Sequence, residues 1–599
     1  MKKGFILLLG WFVLAFEAMA QTDGVTFSQT GGFYEESFYL TLTCGNQNHI
    51  RYTLNGATPT IHSALYSEPL FLDEQLYSKS NIYTIPNCLL SYYHPVEDVD
   101  RVIVIRAAVF DANDNCISPV ATNTYFIKSL GCDSHGLPVL SIAVDSLYLF
   151  DYETGIFVPG VHLDSVDTLG TGNYCQTGRE WERPINMEFY EPDNHCVNQR
   201  CGLRTHGGAS RLFQQKGMRL HAREEYGKKR FHHQFFPTSP IEKYKRLNLH
   251  PFRCSNWLQT GAQDYLSHRV ASHLDVDALS VRQTVVFING EYWGIYTLEE
   301  SPDERYLEDH YDVDLDQVNI LKFWAVPQYG DPSDCQAFRA FLEQADLSKP
   351  EDSAYAFQRM DVPSFADYIL LEAFTANLDW PENNVLLWQA ATGEPFRMIF
   401  YDGDGCFTNV AYSALEVALS YELSGLIMRK FLENEYFKFL LESRYSELVG
   451  TWFSYDAMKP HLEEYRQAVE EEIQNQVDRF GFPWSVQKWQ ADMEIVDAFL
   501  RNRSSYFQNE VYELFALNEQ ETFDLSCYPN PSQGLINVCV FVESVSGIPI
   551  QIYDVMGRLV YSEIRYVRKG ETVFRIQSNL SQGLYLLKIG NQTERIVIE

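Results

Sequence analysis

The chain has 599 residues, 45% hydrophobic and 14% aromatic, with 80 acidic against 47 basic side chains for a formal net charge of −33. Such a length carries about three to five domains and excludes a single small core. So acidic a chain repels phosphate backbones and has no basic stripe interleaved with aromatics, which excludes nucleic acid as a partner and suits the solubility of an exported protein.

At the start, Lys2 and Lys3 precede an uncharged apolar run from Gly4 to Phe16, and Ala18-Met19-Ala20 places small residues at the cleavage positions. Residues 1–20 therefore read as a signal peptide cut before Gln21. No later run of about 18 uncharged apolar residues occurs, so the mature chain is expected outside the inner membrane. Its twelve cysteines are compatible with a few disulfides in that compartment. Cys44, Cys88, Cys116 and Cys132 come early and Cys196 and Cys201 lie close together; the connectivity stays open, and no spacing forms a zinc pattern.

Residues 25–130 alternate β-branched and aromatic residues with turn residues, as in Phe38-Tyr39-Leu40-Thr41-Leu42 and Val102-Ile103-Val104-Ile105, which predicts a small β-sandwich. Its segment Arg51-Tyr52-Thr53-Leu54-Asn55-Gly56-Ala57-Thr58-Pro59-Thr60 resembles the immunoglobulin-like module at the C-terminus of chitobiase-type hexosaminidases. That resemblance implies a spacer or accessory domain. Residues 131–180 form a strand-rich connecting segment, including Leu137-Pro138-Val139-Leu140-Ser141-Ile142, expected to pack on the next domain. From Trp181 the pattern stays strand-rich and then changes period: Ala262, Leu266, Val270 and Leu274 repeat at helical spacing, as do Leu462, Tyr465, Val469, Ile473 and Val477. A β-rich half followed by a helix-rich half over 181–515 predicts a two-lobed α+β arrangement.

Three segments of this central region carry chemistry. In Arg204-Thr205-His206-Gly207-Gly208-Ala209-Ser210-Arg211, followed by Lys216, a small Gly-rich turn precedes a strand expected to bear one lysine. Backbone amides there can approach phosphate oxygens and the lysine can neutralise them. In Asn377-Leu378-Asp379-Trp380-Pro381-Glu382-Asn383-Asn384, Asp379 and Asn384 have the spacing of a kinase catalytic loop, although a turn or helix cap would use the same residues. In Arg397-Met398-Ile399-Phe400-Tyr401-Asp402-Gly403-Asp404, an apolar strand ends in two carboxylates beside glycines, a setting that suits Mg²⁺, or a plain Asp-Gly hairpin.

In this order, and with Phe287-Ile288-Asn289-Gly290-Glu291-Tyr292-Trp293-Gly294-Ile295-Tyr296, the segments resemble the CotH family of spore-coat atypical kinases. The resemblance implies a kinase-like domain that uses ATP and Mg²⁺. Asp379 would be the catalytic acid/base. Lys216, Ser210 and Arg211 would contact the nucleotide, and Asn384, Asp402 and Asp404 would hold metal. Glu299 or Glu300 would line the nucleotide site or pair with the lysine. The phosphoryl acceptor would be Ser or Thr of a surface or secreted protein; the competing reading is a non-catalytic surface protein, glycan-associated, that keeps the fold as a binding module. Asp312, Asp314 and Asp316 begin like a calcium loop, but Gln317 and Phe323 occupy positions that need Gly and Glu.

From Cys527 the chain returns to short strands, a C-terminal β-sandwich by expectation. Tyr528-Pro529-Asn530-Pro531-Ser532-Gln533-Gly534, Ile550-Gln551-Ile552-Tyr553-Asp554-Val555-Met556-Gly557-Arg558 and Gly583-Leu584-Tyr585-Leu586-Leu587-Lys588-Ile589 resemble, in order, the type A sorting domain of the type IX secretion system. That implies a Bacteroidetes-type host, passage across the outer membrane by the type IX machinery, and attachment to a surface glycolipid after removal of residues 527–599.

Overall fold

A computed structural model of the chain describes residues 24–599 apart from 46–47, 78–79, 90–91, 97, 129–135, 254–257, 324–325, 423, 516–523, 543–545, 556–558, 568–569, 578–579 and 590–591. The signal segment, Cys132 and the Met556-Gly557-Arg558 end of the second sorting block lie outside the described residues. The chain is multidomain: mostly β in the N-terminal region, α+β in the centre, and β again at the C-terminus.

The N-terminal region is a five-stranded sheet in the order Gly32–Tyr34, Ala121–Ile127, Ile103–Phe110, His49–Thr53 and Ala64–Leu65. Leu40, Leu42, Ile50, Ile103, Ile105 and Tyr125 pack its core. This region sits directly on the central one. Val102 N–H donates to Gly290 O at 2.8 Å and Tyr292 N–H to Asp100 O at 2.9 Å, while the Glu291 carboxylate accepts the Ile82 and Tyr83 amides at 2.9 Å each.

The central region opens with a closed seven-stranded barrel: Val139–Ala143, Arg183–Tyr190, Cys196–Thr205, Met218–His221, Arg246–Pro251, Glu291–Glu299 and Val281–Ile288. Closure comes from the parallel pairing of Val139–Ile142 with Val285–Ile288, so the strand in the 131–180 segment is part of the barrel wall. Closing the sheet removes its edges. Ile142, Met187, Leu220, Leu247, Phe235, Phe236 and Trp293 fill the interior. Cys196 and Cys201 lie an odd number of positions apart on one strand, hence on opposite faces, and do not join.

Beyond the barrel, a second five-stranded sheet (Asp277–Ala278, Arg397–Phe400, Leu386–Gln389, Asn319–Lys322, Val326–Tyr329) packs with helices. The period change marks real helices: Ala262–Ala271, Tyr455–Val469 and Ile473–Phe480. Val362–Thr375, capped at its start by Asp361 and buried at every position but Pro363, enters the core with Ile369, Leu370, Leu371 and Phe374. The long helix Val486–Phe515 is followed by a three-stranded and a four-stranded sheet that share a core of Ile536 and Val538 from the first and Ile552 and Leu587 from the second.

One buried carboxyl joins the N-terminal sheet to the barrel. Glu188 accepts the Thr124 amide at 3.2 Å and the Tyr190 hydroxyl at 2.6 Å, and its Oε2 lies 2.6 Å from Thr124 Oγ1. Burial pushes its pKa up from 4.5 to about 7, against the pull of Thr124 and Tyr190. A raised carboxyl pKa favours the neutral form in the folded state, so this contribution is complete below about 4.5 and is lost as pH rises through about 7. Glu188→Gln keeps a donor for Thr124 Oγ1 and removes the titration. Thermal melts should therefore show the parent losing stability between those two pH values while Glu188→Gln holds its melting temperature better; parallel curves would refute a neutral Glu188.

Candidate functional site

Barrel strands and the loops after Thr375 and Phe400 enclose a cavity of about 1020 Å³, ample for a small-molecule ligand. Strand alternation decides which side chains reach it. Arg246, Asn248 and His250 line the cavity, while Leu247 belongs to the barrel core and Leu249 to the core and the cavity wall alike. Arg219 and His221 do the same on Met218–His221, with Met218 and Leu220 inward.

The segment from Asn377 to Asn384 is held by local bonds. Val362–Thr375 ends at Ala376 in the left-handed conformation, with Asn377 N–H donating to Glu372 O. Asn377 Nδ2 donates to Glu372 Oε2 at 2.9 Å, and Asp379 N–H donates to Asn377 Oδ1 at 3.1 Å. Burial raises the Glu372 pKa to about 8 against the pull of Asn377 and Tyr368. Two bonds tie the loop to the Asp-Gly-Asp segment: Leu378 N–H to Gly405 O at 3.3 Å, and Asn384 Nδ2 to Asp402 O at 3.3 Å. Asn384 and Asp402 both have positive φ, 58° and 61°, a backbone state costly for non-glycine residues and common where a side chain must be aimed. Burial and the Asp402 charge both raise the pKa of Asp379.

Gly403 separates the two carboxylates because nothing larger fits. A Cβ there would lie 1.9 Å from Ser267 Oγ and 2.8 Å from Ser267 Cβ. The helix Ala262–Ala271 thus presses against the turn, and Gly403 N–H donates to Asp264 Oδ1 at 2.8 Å. His250 stands between the acids, Nδ1 3.9 Å from Asp264 Oδ2 and Nε2 3.9 Å from Asp402 Oδ1. Burial alone would lower its pKa, but Glu299, Asp264, Asp402 and Asp404 together raise it to about 9. Burial raises Glu299 to about 7, and it also raises Asp402. Asp264 is held down at about 2 against burial by His268, His250 and the Gly403 amide.

Basic groups also line the cavity, and Arg204, Arg223, Arg246 and Arg219 each already have a partner. Arg204 Nη2 lies 2.8 Å and Arg223 Nε 2.6 Å from the Glu182 carboxylate. Arg246 is paired with Asp303 at 2.7 Å and Glu304 at 3.0 Å. Arg219 Nε donates to Asn248 Oδ1 at 2.7 Å, and its Nη2 lies 2.9 Å from His206 Nε2.

Of the residues expected from the sequence, Asp379, Asn384, Asp402, Asp404, Ser210, Arg211 and Glu299 all line the one cavity. Lys216 and Glu300 are placed elsewhere. Lys216 precedes the strand Met218–His221 instead of lying on it, is fully buried, and donates to Arg211 O at 2.9 Å and Phe213 O at 3.1 Å over the Tyr174 ring. Burial lowers its pKa to about 7. The amine therefore braces the Gly-rich turn from below, and Arg219 is the strand cation that faces the cavity. Glu300 follows Glu299 and turns the other way, accepting the Ser280 amide at 2.8 Å with His310 Nε2 2.8 Å away. The motifs did not disclose His250, Asp264, Arg219 or Arg246. The polar residue at every second position of Arg246-Leu247-Asn248-Leu249-His250 was the available signal.

His250, Asp402 and Asp404 bring ligand-type atoms within 4.8 Å of one another; the two carboxylates, with Asn384 and phosphate oxygens able to complete the shell, fit a hard divalent cation.

Residues 203–507, half of the chain, match the family described as CotH kinase protein. The chain belongs to the CotH kinase family. The CotH match spans every cavity residue expected from the sequence, and it is flanked by two others. Residues 40–125 match the Fn3 associated family and 526–599 the secretion system C-terminal sorting domain. The sorting domain assigns this CotH-family protein to export, with secretion or outer-surface attachment as its destination. No curated protein matches the chain. Among solved structures, the crystal structure of dimeric latent PorU from Porphyromonas gingivalis is similar at 19% identity with a TM-score of 0.12, over 13% of this chain and 9% of that one.

Proposed function

We propose that the protein is an exported phosphotransferase that moves the γ-phosphate of Mg-ATP to Ser or Thr hydroxyls of a secreted or surface protein. The convergence of Asp379, Asn384, Asp402 and Asp404 on one cavity with the Gly207–Ser210 turn carries this reading. On it, the barrel and the helix-rich part are the two lobes of a kinase-like domain, flanked by an immunoglobulin-like accessory sandwich of the chitobiase type and a C-terminal sandwich. The divisions are 25–130, 131–180, 181–515 and 527–599, preceded by a cleaved signal peptide over 1–20.

Mg-ATP supplies the phosphoryl group and the counter-charge for the acids. Asp379 accepts the proton of the acceptor hydroxyl, and its raised pKa brings it closer to a working base. Asn384, Asp402 and Asp404 would hold the cation. Backbone amides of the Gly207–Ser210 turn, with Arg211 and Arg219, face the phosphates, and Glu299 borders the cation. Lys216 holds that turn in shape. The type IX machinery takes the C-terminal domain, and the remainder is anchored on a surface glycolipid.

Calorimetry of Mg-ATP binding to the full chain, beside Asp402→Ala, tests the reading. Binding at millimolar or tighter dissociation constant that disappears in the variant is expected, because removing a metal ligand removes the link between protein and phosphates. No heat from a folded parent would sink phosphoryl transfer and leave the non-catalytic, glycan-associated surface protein.

A further inference from the structure

Beside Asp402 and Asp404 lies a second donor set, two of whose members, His250 and Glu299, also line the cavity. His250, Asp264 and Glu299 each present one ligand atom, all within 4.8 Å of one another. They come from three elements: His250 from the barrel strand Arg246–Pro251, Glu299 from the end of Glu291–Glu299, and Asp264 from the first turn of the helix Ala262–Ala271. Asp264 is 4% exposed, and its Oδ2 accepts no hydrogen bond. The other oxygen, Oδ1, is occupied by the Gly403 amide at 2.8 Å, so the orphan atom is the one turned toward His250 Nδ1. A buried carboxylate oxygen left without a donor is costly and calls for a cation.

We propose that His250 Nδ1, Asp264 Oδ2 and the Glu299 carboxylate form a resident site for a divalent first-row transition cation, distinct from the nucleotide-borne metal. The donor set argues for that class. Two carboxylates and an imidazole suit Mn²⁺, Fe²⁺ or Zn²⁺, whereas Mg²⁺ prefers oxygen donors and keeps its waters. Ligation through Nδ1 leaves the proton on Nε2, which faces Asp402 Oδ1 across 3.9 Å. The imidazole then works as metal-bound histidines generally do, passing its second N–H to a carboxylate. His250 becomes the element that fixes where Asp402 points, so the inner cation positions a ligand of the outer one. This site does not require nucleotide and stands apart from the phosphoryl-transfer reading.

The test is Mn²⁺ titration of the chelator-stripped full chain without nucleotide, followed by electron paramagnetic resonance and by the electron spin echo modulation that reports an imidazole nitrogen on the ion. One site with a nitrogen signal is expected. Glu299→Gln and Asp264→Asn should each weaken it at least about tenfold, since even outer partners of metal ligands cost that much. Asp404→Asn, which changes only the outer set, should retain it. Zn²⁺ should displace the bound Mn²⁺ and Mg²⁺ should not. Absence of bound Mn²⁺, a site without the nitrogen signal, or a site lost in Asp404→Asn but kept in Glu299→Gln would each overturn the proposal. Circular dichroism of each variant guards against misfolding, and Asp264→Asn retains an oxygen for the Gly403 amide.

Discussion

Asp379→Asn is expected to lower the phosphoryl-transfer rate by about 10²–10⁴-fold, the usual worth of a positioned acid or base, while Mg-ATP affinity stays close to that of the parent. The split follows from position. Asp379 lies on the loop held by Asn377 and Glu372, while Asn384 and Asp402, proposed to hold the metal, are joined to each other by the Asn384 Nδ2 to Asp402 O bond. An Asn at 379 preserves the shape of the loop and removes only the proton acceptor. The parent's pH profile should add to the case. Burial and Asp402 raise the Asp379 pKa, so the rate should fall, on acidification, at a pH above the ordinary aspartate range. The acid limb should vanish in Asp379→Asn. A variant that loses Mg-ATP binding in proportion to rate would show Asp379 to be a metal ligand instead of the base.

The largest stability effect is expected at Arg503. This side chain is fully buried in the long helix Val486–Phe515. It donates to Phe374 O at 2.9 Å, to Ala373 O, and to Val410 O at 2.8 Å, and its Nη2 lies 2.7 Å from Glu510 Oε1. Two of these carbonyls lie in the last turn of the helix Val362–Thr375, where Ala373 O also accepts the Ala376 amide at 3.1 Å and helix carbonyls run short of intrahelical partners. Arg503→Ala leaves them and Glu510 buried without a counter-charge, and should cost about 3–5 kcal/mol, the range for breaking one partner of a buried pair. Chemical denaturation measures this directly. Because the same helix end leads into the Asp379 loop, the variant should lose activity at temperatures where it is still largely folded. A cost below about 1 kcal/mol, typical of an exposed pair, would show that the guanidinium is not the cap.

The pieces that could be read from the chain are those whose determinants lie within a few residues. The spacing from Asp379 to Asn384 and the apolar strand before Asp402 are local patterns, and the structure keeps the strand as Arg397–Phe400. The helical repeat of Leu462, Tyr465, Val469 and Ile473 was equally legible, because one buried face at 3.6 residues per turn leaves its record in composition. The lysine failed as a reading for a local reason too. Lys216 falls two positions before its strand, so alternation never turned it toward the cavity, and burial drew it under the turn.

By itself, then, the sequence determined the order of the regions, the sorting signal at Cys527–Glu599, the family, and the acids of two loops, since each is written in contiguous residues. Only the tertiary structure decided what faces what. Barrel closure rests on a parallel pairing between strands more than a hundred residues apart. The choice of Glu299 over Glu300 at the cavity follows from which way each turns at the end of its strand. The meeting of His250, Asp264, Glu299 and Asp402 needs a strand, a helix, another strand and a loop to converge. No local pattern encodes that meeting, because the forces that assemble it are packing of distant apolar faces and the demand of buried charges for partners.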